Sequence, residues 1–234
     1  MDLPVNVAIP KYALQEFHNL PNGNYSKKIT KGYSTGFDVV MLGAMRSARH
    51  AMAETLAGCK AVVDIGCGAG HSTQALGQAG IGEVWGLDAS PYLLQHAALQ
   101  YPQHHFVQGL AEHTGLPEQY FEGVAACFVF HEIPPRQADR ALDEFRRILK
   151  PGGLLTLLEP ATEQFFGKPL DLLRKHGWKG LYFWWLARFV HEPFVQAWQN
   201  RDIRSWLKAH GFRLIGDRLL FPSRLIVAQR ESLE

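Results

Sequence analysis

The chain has 234 residues, with 24 Lys and Arg against 22 Asp and Glu and a formal net charge of +2. Apolar residues make up 47% and charged residues 20%, which is enough to bury a core and excludes disorder throughout. The near-neutral charge excludes a global electrostatic attraction to nucleic acid, and no nucleic-acid partner is expected. The three cysteines, Cys59, Cys67 and Cys127, are odd in number and form no C-x-x-C pair. They point to the reducing cytoplasm rather than to a disulfide framework. Met1-Asp2-Leu3-Pro4 lacks the basic and apolar stretches of a signal peptide. The longest apolar run, Leu181 to Ala187, is far short of the ~20 residues that span a bilayer.

Residues 1–35 are rich in Pro, Gly, Asn and Lys and read as an irregular arm. From Phe37 to Leu56, apolar residues recur at three- and four-residue spacing, which predicts one helix. Strands and helices then alternate. Ala61–Ile65 reads as a strand closed by Gly66-Cys67-Gly68-Ala69-Gly70, followed by a helix to Gln78. Glu83–Leu87 reads as a second strand ending at Asp88, and Ser90-Pro91 opens a helix to Gln100. His104–Gln108 is a third strand. Gly123–Phe130 is a continuous apolar run, as expected of a strand buried on both faces. Gln137–Lys150 carries one apolar stripe and reads as a helix stopped by Pro151-Gly152-Gly153, before a fifth strand over Leu154–Leu158. Residues 160–200 are helical and aromatic-rich. A helix over Arg201–His210 and two strands, Phe212–Leu220 and Leu225–Gln229, close the chain as an antiparallel hairpin. The alternation predicts a doubly wound α/β fold with a parallel sheet. It is read as one domain: an N-terminal arm and helix (1–58), a core (59–160), an aromatic-rich lid (161–200) and a closing helix and hairpin (201–234).

The glycine turn lets the backbone bend tightly and approach a ligand. Asp88 follows Gly66 by 22 residues, at a strand end where a carboxylate can accept from two ribose hydroxyls. A dinucleotide fingerprint would place its third glycine where His71 stands. Asp64, just before the turn, suits a cationic ammonium and would repel a pyrophosphate.

These residues resemble a known family. Val62–Thr73 looks like motif I of the class I S-adenosylmethionine methyltransferases, and Val84-Trp85-Gly86-Leu87-Asp88 resembles their second motif. The stretch from Phe121 to Pro134 is similar to their fourth-strand motif, and Phe145 to Gly153 to the helix and turn before the fifth strand. The nearest group is that of the ubiquinone and menaquinone biosynthesis methyltransferases. The resemblance covers residues 60–160 and, more weakly, 201–230. It implies a seven-stranded sheet with its last strand antiparallel, and S-adenosylmethionine as cofactor. It implies cofactor contacts at Asp64, Gly66, Cys67, Gly68, Gly70, Asp88 and Ala89, and at Leu110, Ala111, Glu112 and Cys127. The sequence departs from the family at Gly109-Leu110, where Gly-Asp is usual, so the adenine contact passes to a backbone carbonyl or to Glu112. Glu122 replaces the Asp that usually precedes the fourth strand.

A sulfonium methyl is already activated, so the enzyme's task is to align the acceptor in a dry pocket. A base is needed only if the acceptor loses a proton. His131, directly after the fourth strand, is the candidate base, because an imidazole titrates near neutral pH. The plainer alternative is that it packs against the cofactor or caps the next helix. None of the eleven histidines belongs to an H-E-x-x-H motif, and no metal site is expected. The Asn/Asp-Pro-Pro-Tyr/Phe motif of enzymes that methylate exocyclic base amines is replaced by Phe130-His131-Glu132-Ile133-Pro134. Two rivals stay open: a nicotinamide-dependent oxidoreductase and a catalytically silent cofactor-binding scaffold.

Residues 161–200 hold ten of the 27 aromatic residues. Leu181, Tyr182, Trp185, Leu186, Phe189 and Val190 form a helical stripe expected to pack on the domain. Phe183 and Trp184 lie off that stripe. With Phe166 and Tyr33, they are the candidate contacts to a small hydrophobic or aromatic acceptor. No transmembrane segment is expected. Lys179 and Arg188 flank the aromatic run, which would also suit peripheral membrane contact.

Overall fold

The computed structural model describes residues 9–14, 32, 36–190 and 192–232. Seven strands form one sheet: β1 (Ala61–Ile65), β2 (Glu83–Asp88), β3 (His105–Gln108), β4 (Phe121–Cys127), β5 (Leu149–Pro160), β6 (Phe212–Leu220) and β7 (Ser223–Arg230). Their order is β3-β2-β1-β4-β5-β7-β6. The first five strands are mutually parallel, and β7 runs antiparallel to both β5 and β6. The doubly wound sheet with an antiparallel last strand is therefore present.

The helices are α1 (Ala44–Glu54), α2 (His71–Gln78), α3 (Pro91–Gln100), α4 (Pro135–Ile148), α5 (Glu163–Phe166), α6 (Pro169–His176), α7 (Trp178–Phe189), α8 (Val195–Gln199) and α9 (Ile203–Ala209). A 3-10 turn at Lys11–Leu14 precedes them. Alternate strand residues feed two apolar layers, as the two-residue strand period requires. Val63, Val124, Ala126, Leu155 and Leu157 meet α4 and α9 on one face. Val62, Val84, Ala125 and Leu158 meet α1 and α2 on the other. α4 buries Ala138, Ala141, Leu142, Phe145 and Ile148, the stripe expected from sequence. Ser90 caps α3 by accepting from Leu93 N at 3.3 Å, with Pro91 in the first turn.

Four sequence-based expectations are corrected. The helix expected over Phe37–Leu56 breaks at Leu42 and Gly43, whose φ values are +51° and +72°. Residues 36–40 are helical before the break, and α1 begins after it. β4 ends at Cys127 rather than running to Phe130, because Phe128 takes a φ of +60° and turns the chain out of the sheet. The fourth helix stops at Ile148, before Pro151-Gly152-Gly153, because Leu149 is already extended and pairs with Phe121.

The fourth correction concerns the aromatic-rich segment after β5. α7 turns to the core a face rotated from the one expected, with Tyr182 and Leu186 of the expected stripe still packed half-buried against it. Gly180 and Phe183 are buried, with Phe183 edge-on to Phe221 at 5.6 Å. Leu181, Trp185 and Phe189 face outward. Gly180 decides this. A Cβ built there would lie 2.2 Å from the Leu172 carbonyl oxygen of α6, so the two helices close on its bare backbone. Helices cross where their contact residues are smallest, and the rest of the inward face follows.

Gly180→Ala should therefore destabilise the protein by about 1–3 kcal/mol through overpacking against backbone. The check is a lower midpoint in urea unfolding. An unchanged midpoint would show that α6 and α7 are not held at this crossing.

Candidate functional site

Ile65 pairs with Leu87 on one side and Ala126 on the other, so β1, β2 and β4 end together. The strand order reverses between β1 and β4, which opens a crevice beyond their carboxyl ends. A cleft of about 180 Å³ lies there, walled by the glycine turn, the β2 and β4 ends, α1 and the 3-10 turn.

The glycine turn is fixed by backbone geometry. Gly66 N and Cys67 N both donate to the Leu87 carbonyl, at 2.7 and 3.0 Å. Gly66 has a φ of +67°, and a Cβ on it would lie 2.5 Å from Val129 Cγ2. Gly68 has a φ of +53° and would meet nothing within 4 Å, leaving room for a ligand against its backbone. Gly70, at φ +85°, leads into α2.

Asp88 closes the turn from the β2 side. Its Oδ2 accepts from Gly68 N at 2.8 Å and its Oδ1 from Ser90 N at 2.7 Å. Each oxygen keeps a lone pair for a further donor, and the residue lines the cleft. Burial raises its pKa to about 6, against the lowering effect of the Ser90 and Gly68 amides. Asp64 lies beneath the turn and does not line the cleft. Its Oδ2 accepts from the Ser72 and Thr73 hydroxyls, both at 2.7 Å, while Oδ1 has no hydrogen-bond partner among the described residues. Burial raises its pKa to about 6 as well.

Cys67, Ala89, Leu110, Ala111 and Cys127 all line the cleft. Burial holds the Cys127 thiol up at about 12, so it stays protonated and apolar in character. Glu112 sits just behind this wall. Its Oε1 accepts from the Tyr12 hydroxyl at 2.5 Å, and its buried Oε2 has no partner among the described residues.

Two basic residues of the cleft carry no signal in the sequence motifs. Arg49 comes from the buried face of α1, between Ala48 and Met52, and is 8% exposed. Its guanidinium donates to Asp38 Oδ1 at 2.8 Å. The signal for it was a lone cation inside an apolar stripe. His71, at the start of α2, also lines the cleft. Burial, and then the Arg49 charge, lower its pKa, so it is neutral at pH 7.

The exit from β4 differs most from expectation. The candidate base His131 is not on the cleft wall, and its neighbour takes that place. Glu132 lines the cleft, and His131 is fully buried. The positive φ at Phe128 shifts the alternation. The His131 Nδ1 lies 2.6 Å from Glu159 Oε2, and Glu159 Oε1 accepts from Val129 N and Phe130 N at 2.9 and 2.8 Å. The His131 Nε2 faces Glu192 Oε1 at 3.7 Å and Glu132 Oε1 at 4.0 Å. Burial alone would lower its pKa. The carboxylates of Glu192, Glu159 and Glu132 outweigh that and hold it at about 9.

Phe183, Trp184 and Phe166 do not line the cleft. Phe183 is core, Arg188 lies 4.0 Å over the Trp184 ring, and Phe166 is exposed on α5. Tyr33 falls outside the described residues. The apolar lining comes instead from Phe37, Phe128, Val129 and Ile133, with Tyr12 beside them. Phe37 meets Phe128 edge-on at 5.6 Å.

Comparison with known proteins agrees with this geometry. A family model described as a methyltransferase domain matches residues 63–157. An uncharacterized methyltransferase of Synechocystis sp. is 35% identical over 175 residues, 72% of this chain and 74% of that protein. The demethylmenaquinone methyltransferase of Bacillus licheniformis is 30% identical over 152 residues, covering 62% of this chain and 60% of its own. The ubiquinone/menaquinone biosynthesis C-methyltransferase of Bordetella avium is 31% identical over 160 residues, 61% of each chain. The match thus spans about three-fifths of those two quinone enzymes. A TehB-like SAM-dependent methyltransferase from Corynebacterium glutamicum shares the fold, with a TM-score of 0.58 at 15% identity, covering 88% of this chain and all of the other.

The His131 environment makes a pH prediction. The imidazole pKa rises from its ordinary 6.5 to about 9 on folding. Its contribution to stability is whole below about 6.5 and is lost as pH rises through about 9. NMR should therefore find His131 protonated at pH 7.5, and unfolding free energy should fall over that interval. In His131→Gln this slope should vanish, with a loss of roughly 3–5 kcal/mol at neutral pH from breaking a buried pair. A ring that titrates below pH 7 would overturn the assignment.

Proposed function

The chain belongs to the class I S-adenosylmethionine-dependent methyltransferases, in the group of the ubiquinone and menaquinone enzymes, and we propose that it methylates a small apolar or aromatic acceptor of quinone-like shape. The observation that carries the cofactor half of this reading is Asp88. Its carboxylate is fixed by two backbone amides at the rim of the crevice, opposite the bare backbone of Gly68. The acceptor half rests on the cleft's apolar wall of Phe37, Phe128, Val129 and Ile133, and on the names of the two quinone methyltransferases.

S-adenosylmethionine supplies an electrophilic methyl group on a sulfonium, which needs no further activation. The chain's own residues bind, orient and keep water out. Asp88 accepts from ribose hydroxyls with its remaining lone pairs. Arg49, held by Asp38, offers its guanidinium to the amino-acid carboxylate. The buried Oε2 of Glu112, without a partner among the described residues, suits an adenine amino donor. Cys127 packs as a small apolar neighbour. Tyr12 and Phe37 add apolar lining, which helps to keep water from the reacting groups.

An imidazolium at neutral pH cannot accept a proton, so we assign His131 a positioning role. Glu132, which lines the cleft, is the carboxylate that takes up the proton an acceptor releases. Glu132→Gln should then lower turnover about two to four orders of magnitude with little change in cofactor affinity. Equal losses in both would make Glu132 a structural residue.

Asp88→Ala should weaken binding of S-adenosylhomocysteine by about 1.5–3 kcal/mol per lost hydrogen bond, read by calorimetry. Only the ionised carboxylate accepts from both hydroxyls, and ionisation here requires pH above about 6. Wild-type affinity should therefore hold above that value and fall as pH drops through it, while Asp88→Asn should show a flatter profile. Unchanged affinity in Asp88→Ala would remove this residue from the site.

A further inference from the structure

The α6–α7 hairpin turns apolar side chains both inward and outward. Phe183, Gly180 and Leu172 seat it on the core. Trp178, Leu181 and Trp185 follow one another at three- and four-residue spacing and are 62%, 36% and 51% exposed. On α5 and α6, Phe166, Leu170 and Leu173 are exposed as well. No described residue accounts for this many outward apolar side chains, and a soluble surface usually limits patches of this kind.

Charge selects among the surfaces that could receive them. Residues 163–190 hold five Lys and Arg against two carboxylates. Lys168, Arg174, Lys175 and Lys179 are exposed on the same hairpin. The two carboxylates are already engaged, Asp171 with Arg174 at 3.7 Å and Glu163 with Lys175 and His176. A second copy would bring an equally cationic face, setting like charges together in a symmetric contact. Tryptophan beside lysine is the composition of a helix lying in the headgroup region of an anionic bilayer. No helix among the described residues is long and apolar enough to cross a membrane.

The face also adjoins the cleft. The Tyr182 hydroxyl donates to the Val40 carbonyl at 2.7 Å. Val40 belongs to the short segment that carries Phe37, which lines the cleft, and Val39, Val40 and Leu42 continue the exposed apolar surface.

We propose that the outward face of the α6–α7 hairpin docks the enzyme on an anionic lipid surface, with the cleft mouth beside the bilayer. This rests on the exposed face and its charge and not on the acceptor's identity, and its test reads binding rather than methyl transfer.

The test is cosedimentation of the full chain with phosphatidylcholine vesicles and with equimolar phosphatidylcholine–phosphatidylglycerol vesicles. Wild type should partition onto the anionic vesicles, and added salt should reduce the binding. Trp178→Ala with Trp185→Ala should weaken partitioning about tenfold or more. Lys168→Glu with Lys179→Glu should weaken it roughly fivefold for each charge reversed. Unchanged S-adenosylhomocysteine affinity and circular dichroism would show that each variant is folded. The charge variant keeps the aromatic face intact, so it stands even if the aromatic variant fails to fold. Three results would overturn the proposal: wild type staying in solution with both vesicle types, the charge variant binding as wild type does, or light scattering showing that Trp178 and Trp185 hold two copies together.

Discussion

One buried carboxylate organises the part of the molecule where the cleft is made. Glu159, at the end of β5, takes donors from Val129 N, Phe130 N and the His131 ring. A carboxylate so deeply buried is tolerable only when donors surround it. Meeting that need pulls the chain beyond β4 back over the end of β5. Phe128 adopts a positive φ to begin the turn, and its amide still donates to the Leu158 carbonyl at 2.7 Å. Glu132 is thereby carried to the cleft wall and His131 beneath it. The imidazole in turn faces Glu192, beyond α7. A single charge thus links the sheet, the cleft floor and the segment that follows α7.

On the other side of the cleft, bare backbone performs the equivalent task. Gly66 must approach Val129, and Gly68 must leave space where a side chain would stand. Asp88 ties the Gly68 amide to β2, so the turn has one shape before any ligand arrives. This preorganisation matters for methyl transfer, where alignment rather than bond activation limits the enzyme. Arg49 follows the same logic from α1. Asp38 holds its guanidinium in place, and the burial of Ala48 and Met52 beside it fixes the backbone that carries it.

The aromatic-rich segment from α5 to α8 divides its side chains between core and surface. Phe183, stacked edge-on with Phe221, joins α7 to the apolar layer that also contains Met45 and Leu225. Arg188 lies over Trp184 and donates to the carbonyls of Gln164, Phe165 and Trp184, which fastens α5 to α7. The outward aromatic side chains contribute little to this packing. Their exposure gives this segment a second face, lying beside the cleft rather than inside it.

The sequence by itself determined the strand order of events along the chain, the glycine turn, the role of β2 in presenting Asp88, and the α4 stripe. Each of these is a local matter. The strand and helix periods, Pro91 after Ser90 and the glycines at positive φ act within a few residues of one another. Tertiary structure alone decided which side of β4 the residues after Cys127 would face. That choice depended on Glu159, some thirty residues further along and silent in any local pattern. It likewise decided which face of α7 turned inward. Both faces of that helix are apolar, so periodicity could not rank them, and the close approach of Gly180 to the Leu172 carbonyl settled the matter sterically. Arg49 shows the same limit. Its place on an apolar stripe was visible, but only the folded sheet, by bringing α1 against the end of β4, turned a buried cation toward a cleft.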